Sequence, residues 1–279
     1  MDLRDDVILI ILAALLVFLL IGTGGKETPI NEIEHVDEED LTVETRVAIY
    51  SGQGTWNESV VALERLFLWM NLTVELVDAP QINGEGLEGF DIFCVPGGDM
   101  YQYSRDISPE GKEKIKEFVL GGGGYLGICG GAYFAGERVV WRGDILPMTP
   151  LGLYRGTATG PDDRVVPYPG YNMCDVEITS QRHPITANLS QPCVMLYYWG
   201  PVLVPGEGSC AEILGVYGGI KLPAMLAVPC GSGRVFLVGC HPEIEEDSLR
   251  DGSTFAEELD DQGSDWELLQ SAVLWLEGH

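Results

Sequence analysis

Cys129 has the sequence context of a catalytic nucleophile. It lies in the sequence GICGG, residues 127–131, directly after an apolar run at residues 125–128 that is typical of a buried strand. A nucleophile on a sharp turn from strand to helix requires small neighbours, because the backbone is strained and closely packed there. The helix that follows would favour the thiolate, the reactive form of cysteine. A buried cysteine in a glycine-rich turn is the alternative interpretation.

His241 and Glu243 could serve that nucleophile. They follow a second apolar run, residues 234–240, and of the four histidines only His241 follows a predicted core strand. A cysteine nucleophile needs a base, and a carboxylate can fix the tautomer and orientation of that base. Neighbouring strand ends of an open α/β sheet deliver side chains to one crevice even when they are far apart in the chain. A surface His-Pro turn is the alternative.

Two glycines after a third apolar run could supply the remaining part of such a site. The sequence PGG, residues 96–98, follows the run at residues 90–95. Glycines at a strand end let a backbone N–H face a reacting carbonyl, so the amides of Gly98 and Gly130 are the predicted donors of an oxyanion hole. Gly97 is a further candidate for the pocket. Taken alone, this motif is a common turn.

These motifs are connected by alternating strand and helix patterns from residue 46 onwards. The predicted strands cover residues 47–50, 73–77, 90–95, 125–128 and 234–240, and the predicted helices cover residues 58–70, 108–120 and 266–276. This alternation predicts parallel βαβ units in an open, doubly wound α/β sheet. Many short strand-like runs between residues 152 and 228 predict an antiparallel portion at one edge.

The first 45 residues have a different character from the rest. After a tail at residues 1–6, residues 7–25 carry no charge. As a helix they would extend about 28 Å, which is the thickness of one hydrocarbon core, so they predict a transmembrane anchor. A cleaved signal peptide competes with this interpretation, but the tail carries three aspartates and the apolar run is unusually long. Residues 26–45 carry eight acidic residues and predict a solvated tether to a globular domain at residues 46–279.

Composition excludes several classes of protein. The 279 residues include 16 basic and 43 acidic ones, a net charge of −27, which excludes nucleic-acid binding through a basic face. A hydrophobic content of 46% excludes disorder of the whole chain. No motif indicates a cofactor, and the cysteines lack the spacing of a zinc site. The acidic run at residues 243–247 is interpreted as a solvated loop rather than a cation site.

The sequence indicates only weakly on which side of the membrane the globular domain lies. Glycosylation sequons begin at Asn57, Asn71 and Asn188, and they favour a domain outside the cytoplasm. In that case four cysteines could pair, namely Cys174, Cys193, Cys210 and Cys230. Cys94 and Cys240 fall inside predicted strands and are expected to be buried thiols.

The order of the three motifs resembles the class I glutamine amidotransferase-like superfamily. It is more closely similar to the N-terminal domain found in eukaryotic biotin-protein ligases and in stand-alone prokaryotic proteins. The matching stretches are residues 123–135, 156–161, 197–201 and 231–243. The resemblance implies a flavodoxin-like three-layer fold with Cys129, His241 and Glu243 as a triad. Tyr197 and Tyr198, in the family-like sequence YYWGP, become candidates for lining the pocket, with a core role as the alternative.

Two departures limit what the resemblance implies. Glutamine-hydrolysing members have a His-Gln pair soon after the nucleophile, whereas this chain has Gly131-Ala132-Tyr133, so glutamine hydrolysis is not carried over. We also expect no synthetase or ligase domain, because the glycine- and arginine-rich loop that would hold biotinyl-adenylate is absent. Biotin ligase activity is therefore not expected.

Together these observations predict a membrane-anchored hydrolase that attacks an amide or related acyl group of a small molecule or peptide. Cys129 would be the nucleophile, His241 the base and then the acid, and Glu243 the group that orients His241. A non-catalytic binding or regulatory domain is the alternative, because one fold serves many functions. A cysteine peptidase with an open groove is a further alternative. The motifs specify neither the substrate nor the oligomeric state.

Overall fold

The computed structural model describes residues 44–189, 192–246 and 248–278. The N-terminal tail, the predicted anchor and almost all of the predicted tether, residues 1–43, lie outside the described residues. Within the described ranges, no helix is both long enough and apolar enough to cross a membrane.

Thirteen strands and seven helices make up the described part of the chain. The strands are β1 (Arg46–Tyr50), β2 (Thr73–Val77), β3 (Ile92–Val95), β4 (Gly124–Ile128), β5 (Arg138–Trp141), β6 (Asp144–Ile145), β7 (Gly156–Gly160), β8 (Asn172–Ile178), β9 (Cys193–Tyr197), β10 (Val202–Pro205), β11 (Glu212–Tyr217), β12 (Pro223–Cys230) and β13 (Gly233–Val238). The helices are α1 (Asn57–Trp69), α2 (Ala79–Gly84), α3 (Met100–Asp106), α4 (Pro109–Leu120), α5 (Gly130–Ala135), α6 (Ser248–Asp251) and α7 (Trp266–Leu276).

Nine strands form one large mixed sheet, in the order β2-β1-β3-β4-β13-β12-β11-β8-β9. The first five strands in this order are mutually parallel. The remaining four add antiparallel pairs, as predicted for one edge of the sheet. A second sheet, in the order β10-β7-β5-β6, was not predicted. Its strand β7 has the sequence GTATG, which lacks the large apolar side chains that make a strand recognisable.

Strand β1 shows why the large sheet is covered on both faces. Val47 and Ile49 belong to one hydrophobic cluster, together with residues of α1 and α7. Ala48 and Tyr50 belong to a second cluster, together with residues of α2, α4 and α5. Because successive side chains of a strand point to opposite faces, an uninterrupted apolar run produces a three-layer structure.

The carboxyl ends of three adjacent parallel strands carry the three sequence motifs. Strand β3 is followed by the turn at residues 96–98, β4 by Cys129, and β13 by residues 239–243. Since β4 lies between β3 and β13, all three motifs meet at one edge of the sheet. This edge is where ligands bind in open α/β folds.

Cys174, one of the four cysteines that could pair in a domain outside the cytoplasm, lies beside a core thiol. Its sulfur is 3.4 Å from that of Cys240, which follows β13. Burial raises the pKa of Cys240 well above its ordinary value, and its contact with Cys174 adds to that increase.

The acidic segment that begins at residue 243 is partly buried, and the interpretation as a solvated loop was wrong. Glu243, Glu245 and Asp251 are each at most 5% exposed. The Glu245 carboxylate accepts hydrogen bonds from the Asp265 backbone and the Arg250 guanidinium, both at 3.1 Å. Each buried carboxylate thus has specific donors, which a local run of charges cannot reveal. Burial still raises the pKa of Glu245 and the pKa of Asp251.

These raised pKa values predict that the protein is more stable in mild acid than at neutral pH. The native state binds protons that the unfolded state has released, so the free energy of unfolding increases as the pH falls from 7 to about 5. Urea unfolding in 0.5 M salt, which screens surface repulsion, measures this increase. Glu245→Gln should reduce the difference between the two pH values. An unfolding free energy that falls on acidification over this range would contradict the assignment.

Candidate functional site

Cys129 occupies a strained turn between strand β4 and helix α5. Its backbone dihedrals are φ 47° and ψ −99°, a conformation that costs a non-glycine residue about 1–3 kcal/mol. Hydrogen bonds hold the turn in place: the Cys129 amide donates to the Val238 carbonyl, and the Tyr133 amide donates to the Cys129 carbonyl, both at 2.9 Å. The thiol lies 3.5 Å from the carbonyl oxygen of Tyr198. The predicted arrangement of strand, sharp turn and helix is present.

His241 and Glu243 form a buried pair at the end of β13. Nδ1 of His241 lies 2.9 Å from Oε1 of Glu243, and the two side chains are 1% and 0% exposed. The backbone amide of His241 donates to the Leu196 carbonyl at 2.8 Å, which fixes the histidine against strand β9. Trp266 donates its indole N–H to the Glu243 carbonyl at 3.0 Å. The imidazole orientation is therefore set by its own loop and by two other elements.

Ser59 completes this pair, and the sequence analysis did not identify it. Its hydroxyl donates to Oε1 of Glu243 at 2.6 Å and accepts from the Gly97 amide at 3.0 Å. Ser59 is fully buried in helix α1. The sequence did contain one indication of this role. Ser59 precedes Leu63 by four residues and Leu66 by seven, and this helical spacing places its polar side chain on the apolar face of the helix.

The charges around His241 favour its protonated form. Burial would lower the pKa of His241, but the neighbouring Cys129 and Glu243 side chains raise that pKa to about 10. Nε2 of His241 is buried and makes no hydrogen bond with any described group. The arrangement can hold an imidazolium beside a thiolate.

Gly98 and Gly130 lie against each other beside Cys129. A Cβ atom on Gly130 would be 2.4 Å from the Gly98 carbonyl oxygen and 2.8 Å from its nitrogen. Gly98, with φ +145°, lies opposite Thr55 in an isolated antiparallel β-bridge. The hydrogen bonds of this bridge are made by the neighbouring residues, so they do not use the Gly98 amide. In the described part of the chain, neither the Gly98 nor the Gly130 amide donates a hydrogen bond. Both N–H groups can therefore donate a hydrogen bond to the oxygen of a ligand.

The site opens into a cavity of about 420 Å³ with a mainly aromatic wall. The lining residues are Trp56, Gly98, Asp99, Met100, Tyr101, Cys129, Tyr133, Trp141, Leu146, Tyr198, Trp199 and His241. The Trp56 ring packs edge-on against the His241 ring with their centroids 5.0 Å apart. The cavity therefore brings the thiol, the imidazole and an apolar surface together.

Some of the predicted pocket residues lie at the cavity, and others, Gly97 and Tyr197, do not line it. Cys129, His241, Gly98 and Tyr198 line the cavity, and Gly130 lies beside Gly98. Gly97 lies behind the histidine, where a Cβ atom would be 2.5 Å from Cε1 of His241.

Tyr197 has the core role rather than the pocket role. It is fully buried, and its hydroxyl donates to the Gly200 carbonyl and accepts from the Asp162 amide, both at 2.9 Å. Tyr198 follows the last residue of β9 and lines the cavity together with Trp199, whereas Tyr197 lies inside the strand.

One group of carboxylates lies close enough together to bind a cation. The ligand oxygens of Glu246, Asp260 and Asp261 lie within 4.8 Å of one another. Glu246 and Asp261 each accept a hydrogen bond from the other's backbone amide at 3.3 Å, so these two side chains already connect two turns of the acidic segment. Because these carboxylates could hold a metal ion, the expectation that the protein has no cofactor stays a prediction.

Two comparisons with solved structures describe the fold. A glutamine amidotransferase from Thermotoga maritima is 14% identical, with a TM-score of 0.55 over 85% of this chain and 99% of that one. A ThuA-like protein from Bacteroides uniformis is 15% identical, with a TM-score of 0.53 over 83% of this chain and 91% of that one. At these identities the matches show the fold alone: the described domain shares the fold of these two proteins.

Sequence comparisons identify the family. The biotin-protein ligase of Schizosaccharomyces pombe is 28% identical over 218 residues, which are 71% of this chain and 33% of that protein. A Chlamydia muridarum protein of uncharacterized function is 29% identical over 129 residues, 42% of this chain and 49% of that protein. The chain thus spans only a third to a half of the length of these relatives. Residues 45–271 match the family described as "Biotin-protein ligase, N terminal", and the chain belongs to that family.

Proposed function

We propose that the domain is a cysteine-dependent hydrolase that acts on an amide or related acyl group. The observation that carries this proposal is the shared cavity of Cys129 and His241, in which Nδ1 of His241 is held 2.9 Å from the Glu243 carboxylate. A cysteine nucleophile is activated by such a partner, and the partner requires a carboxylate to hold its proton and orientation.

The proposed reaction uses each group in turn. The Cys129 thiolate attacks the substrate carbonyl carbon, and the carbonyl oxygen becomes an oxyanion that accepts hydrogen bonds from the Gly98 and Gly130 amides. The imidazolium of His241 donates its proton to the leaving nitrogen as the C–N bond breaks, which leaves an acyl-thioester on Cys129. Neutral His241 then removes a proton from water, the resulting hydroxide attacks the thioester, and the acid and the thiolate are released.

Glu243 and Ser59 act as positioning residues in this proposal. Glu243 holds Nδ1 of His241, which directs the other ring nitrogen towards the reaction. The Ser59 hydroxyl donates a hydrogen bond to the same oxygen of Glu243. It also accepts one from the Gly97 amide, so Ser59 connects the Glu243 carboxylate to the turn that contains Gly98. The base and the oxyanion donor therefore have a common support.

We also propose that residues 7–25 anchor the domain in a membrane, with the domain outside the cytoplasm. The support for the anchor is an uncharged stretch of sufficient length next to an acidic segment. The support for the orientation is weaker: the sequon asparagines Asn57 and Asn71 are both exposed.

Cys129 should react faster than an ordinary thiol with iodoacetamide at pH 6. Most thiols are protonated at this pH, whereas a thiolate paired with the His241 imidazolium remains nucleophilic. Cys210 is exposed and is the internal reference. Site-resolved mass spectrometry should find that His241→Asn slows alkylation of Cys129 at least about tenfold and leaves Cys210 unchanged. Cys129→Ala should abolish labelling of the 129 peptide only. Equal rates at the two cysteines, or no effect of His241→Asn, would exclude the proposed pair.

Removing the thiolate should lower the pKa of His241. In Cys129→Ala the burial of the ring still favours the neutral form, while one of the two negative charges that oppose it is gone. Histidine NMR of isotope-labelled protein, with His241→Asn for assignment, measures the change between pH 6 and 10. An unchanged titration in Cys129→Ala would show that the thiol and the imidazole are not coupled.

The proposed anchor predicts that the full chain and a shortened chain without residues 1–44 differ in membrane association. The full chain should stay with the membrane after alkaline carbonate extraction, because its binding is hydrophobic rather than electrostatic. A chain that starts at residue 45 should be released. Full-length protein in the carbonate wash, or a mature N-terminus beyond residue 25, would argue against an uncleaved anchor.

A further inference from the structure

We propose that the cavity accepts an uncharged apolar group, about one aromatic ring and its linker in size, and excludes substrates that carry a carboxylate there, including free glutamine. This inference rests on the proposed function, because attack by Cys129 identifies the cavity in which the substrate must lie.

The composition of the cavity wall is the first argument. Eight of the lining residues are aromatic or aliphatic: Trp56, Met100, Tyr101, Tyr133, Trp141, Leu146, Tyr198 and Trp199. Among the residues that the structure describes, no lysine or arginine lines the cavity, and the one carboxylate in its lining, Asp99, caps helix α3 by accepting from the Tyr101 amide at 2.9 Å. A bound carboxylate would lose its hydration and meet a like charge without a lysine or arginine partner. Burial of an unpaired charge costs several kcal/mol.

The size and rigidity of the cavity are the second argument. A dry cavity of about 150 Å³ binds one benzene molecule, so about 420 Å³ can hold a ring with a linker. Tyr198 lies between Trp56 and Trp199, with centroid distances of 5.4 and 4.5 Å, and forms a continuous aromatic wall that reaches His241. Rings packed against one another lose little conformational freedom when they bind an apolar group.

Two arginines contact aromatic rings at or near the cavity wall. The Arg105 guanidinium lies 5.9 Å from the centroid of Tyr101. The Arg142 guanidinium lies 4.2 Å from the centroid of Tyr168, whose ring is 5.0 Å from that of Trp199. Arg142 does not line the cavity, and its charge is directed to the face of Tyr168. The net charge of −27 gives the protein a field that disfavours the approach of anions.

Three chloroacetyl probes, used with the full chain, test the preference. N-chloroacetyl-phenylalaninamide and N-chloroacetyl-phenylalanine differ only in an amide or a carboxylate, and N-chloroacetyl-glycinamide lacks the ring. Each reacts by forming a bond from Sγ to the methylene carbon, with loss of chloride. The rate at Cys129 is divided by the rate at exposed Cys210, which corrects for intrinsic reactivity.

We expect the phenylalaninamide probe to react at Cys129 at least about 30-fold faster than its carboxylate analogue, because the carboxylate must be buried without a lysine or arginine, and Cys129 and Glu243 already compensate the charge of the His241 imidazolium. The glycinamide probe should also be slower, by about tenfold, because it buries no ring. Leu146→Arg adds a cation at a half-buried position of the wall and should accelerate the carboxylate probe about fivefold. Leu146→Gln, the uncharged control, should not.

The outcomes separate this inference from the proposed function. If Cys129 reacts no faster than Cys210 with any probe, the proposed function fails and this inference fails with it. If Cys129 reacts faster in a manner that depends on His241, but the carboxylate probe equals or exceeds the amide probe, the hydrolase proposal stands and the apolar preference is overturned. Loss of such a carboxylate preference in Arg142→Gln would identify Arg142 as the partner of the charge.

Discussion

The buried carboxylate of Glu243 is the constraint on which the site depends. It is fully enclosed, its Oε2 makes no hydrogen bond with any described group, and its Oε1 relies on His241 and Ser59. A buried anion is tolerated only when charge and hydrogen bonds compensate for lost hydration. A proton on His241 would compensate this carboxylate in the folded structure as well as take part in the proposed chemistry. Through Ser59, this carboxylate also connects helix α1 to the end of β13 and to the turn after β3.

Much of this site could be predicted because its main residues follow continuous apolar strands. The positions of Cys129 and of His241 with Glu243 follow from the two runs that precede them, and adjacent parallel strands bring such positions to one edge. Ser59 could not be predicted with the same ease, because its partner is 184 residues away and its role depends on how helix α1 packs. Tyr197 and Tyr198 illustrate a different limit, because the sequence does not show where strand β9 ends and the turn that lines the cavity begins.

The fold was predictable where strands are long and apolar, and it was not where they are short. The parallel half of the sheet and helix α7 follow directly from hydrophobic patterns. The small sheet built from β5, β6, β7 and β10 does not, because its strands are only two to five residues long, β7 consists of glycine, threonine and alanine, and the sheet depends on pairing between distant segments. The acidic segment after residue 243 was misread for a related reason. Its carboxylates are buried by tertiary contacts, and a local run of charge carries no sign of those contacts.

Intact-protein mass spectrometry with a neutral aromatic p-nitrophenyl ester tests the central claim most directly. The account predicts an acyl adduct on Cys129, formed with a stoichiometric burst of p-nitrophenol and followed by slower turnover. Cys129→Ala should give neither adduct nor burst, and His241→Asn should greatly slow both steps. Release of p-nitrophenol at the same rate in Cys129→Ala, or an adduct on another residue, would contradict the assignment of Cys129 as the nucleophile.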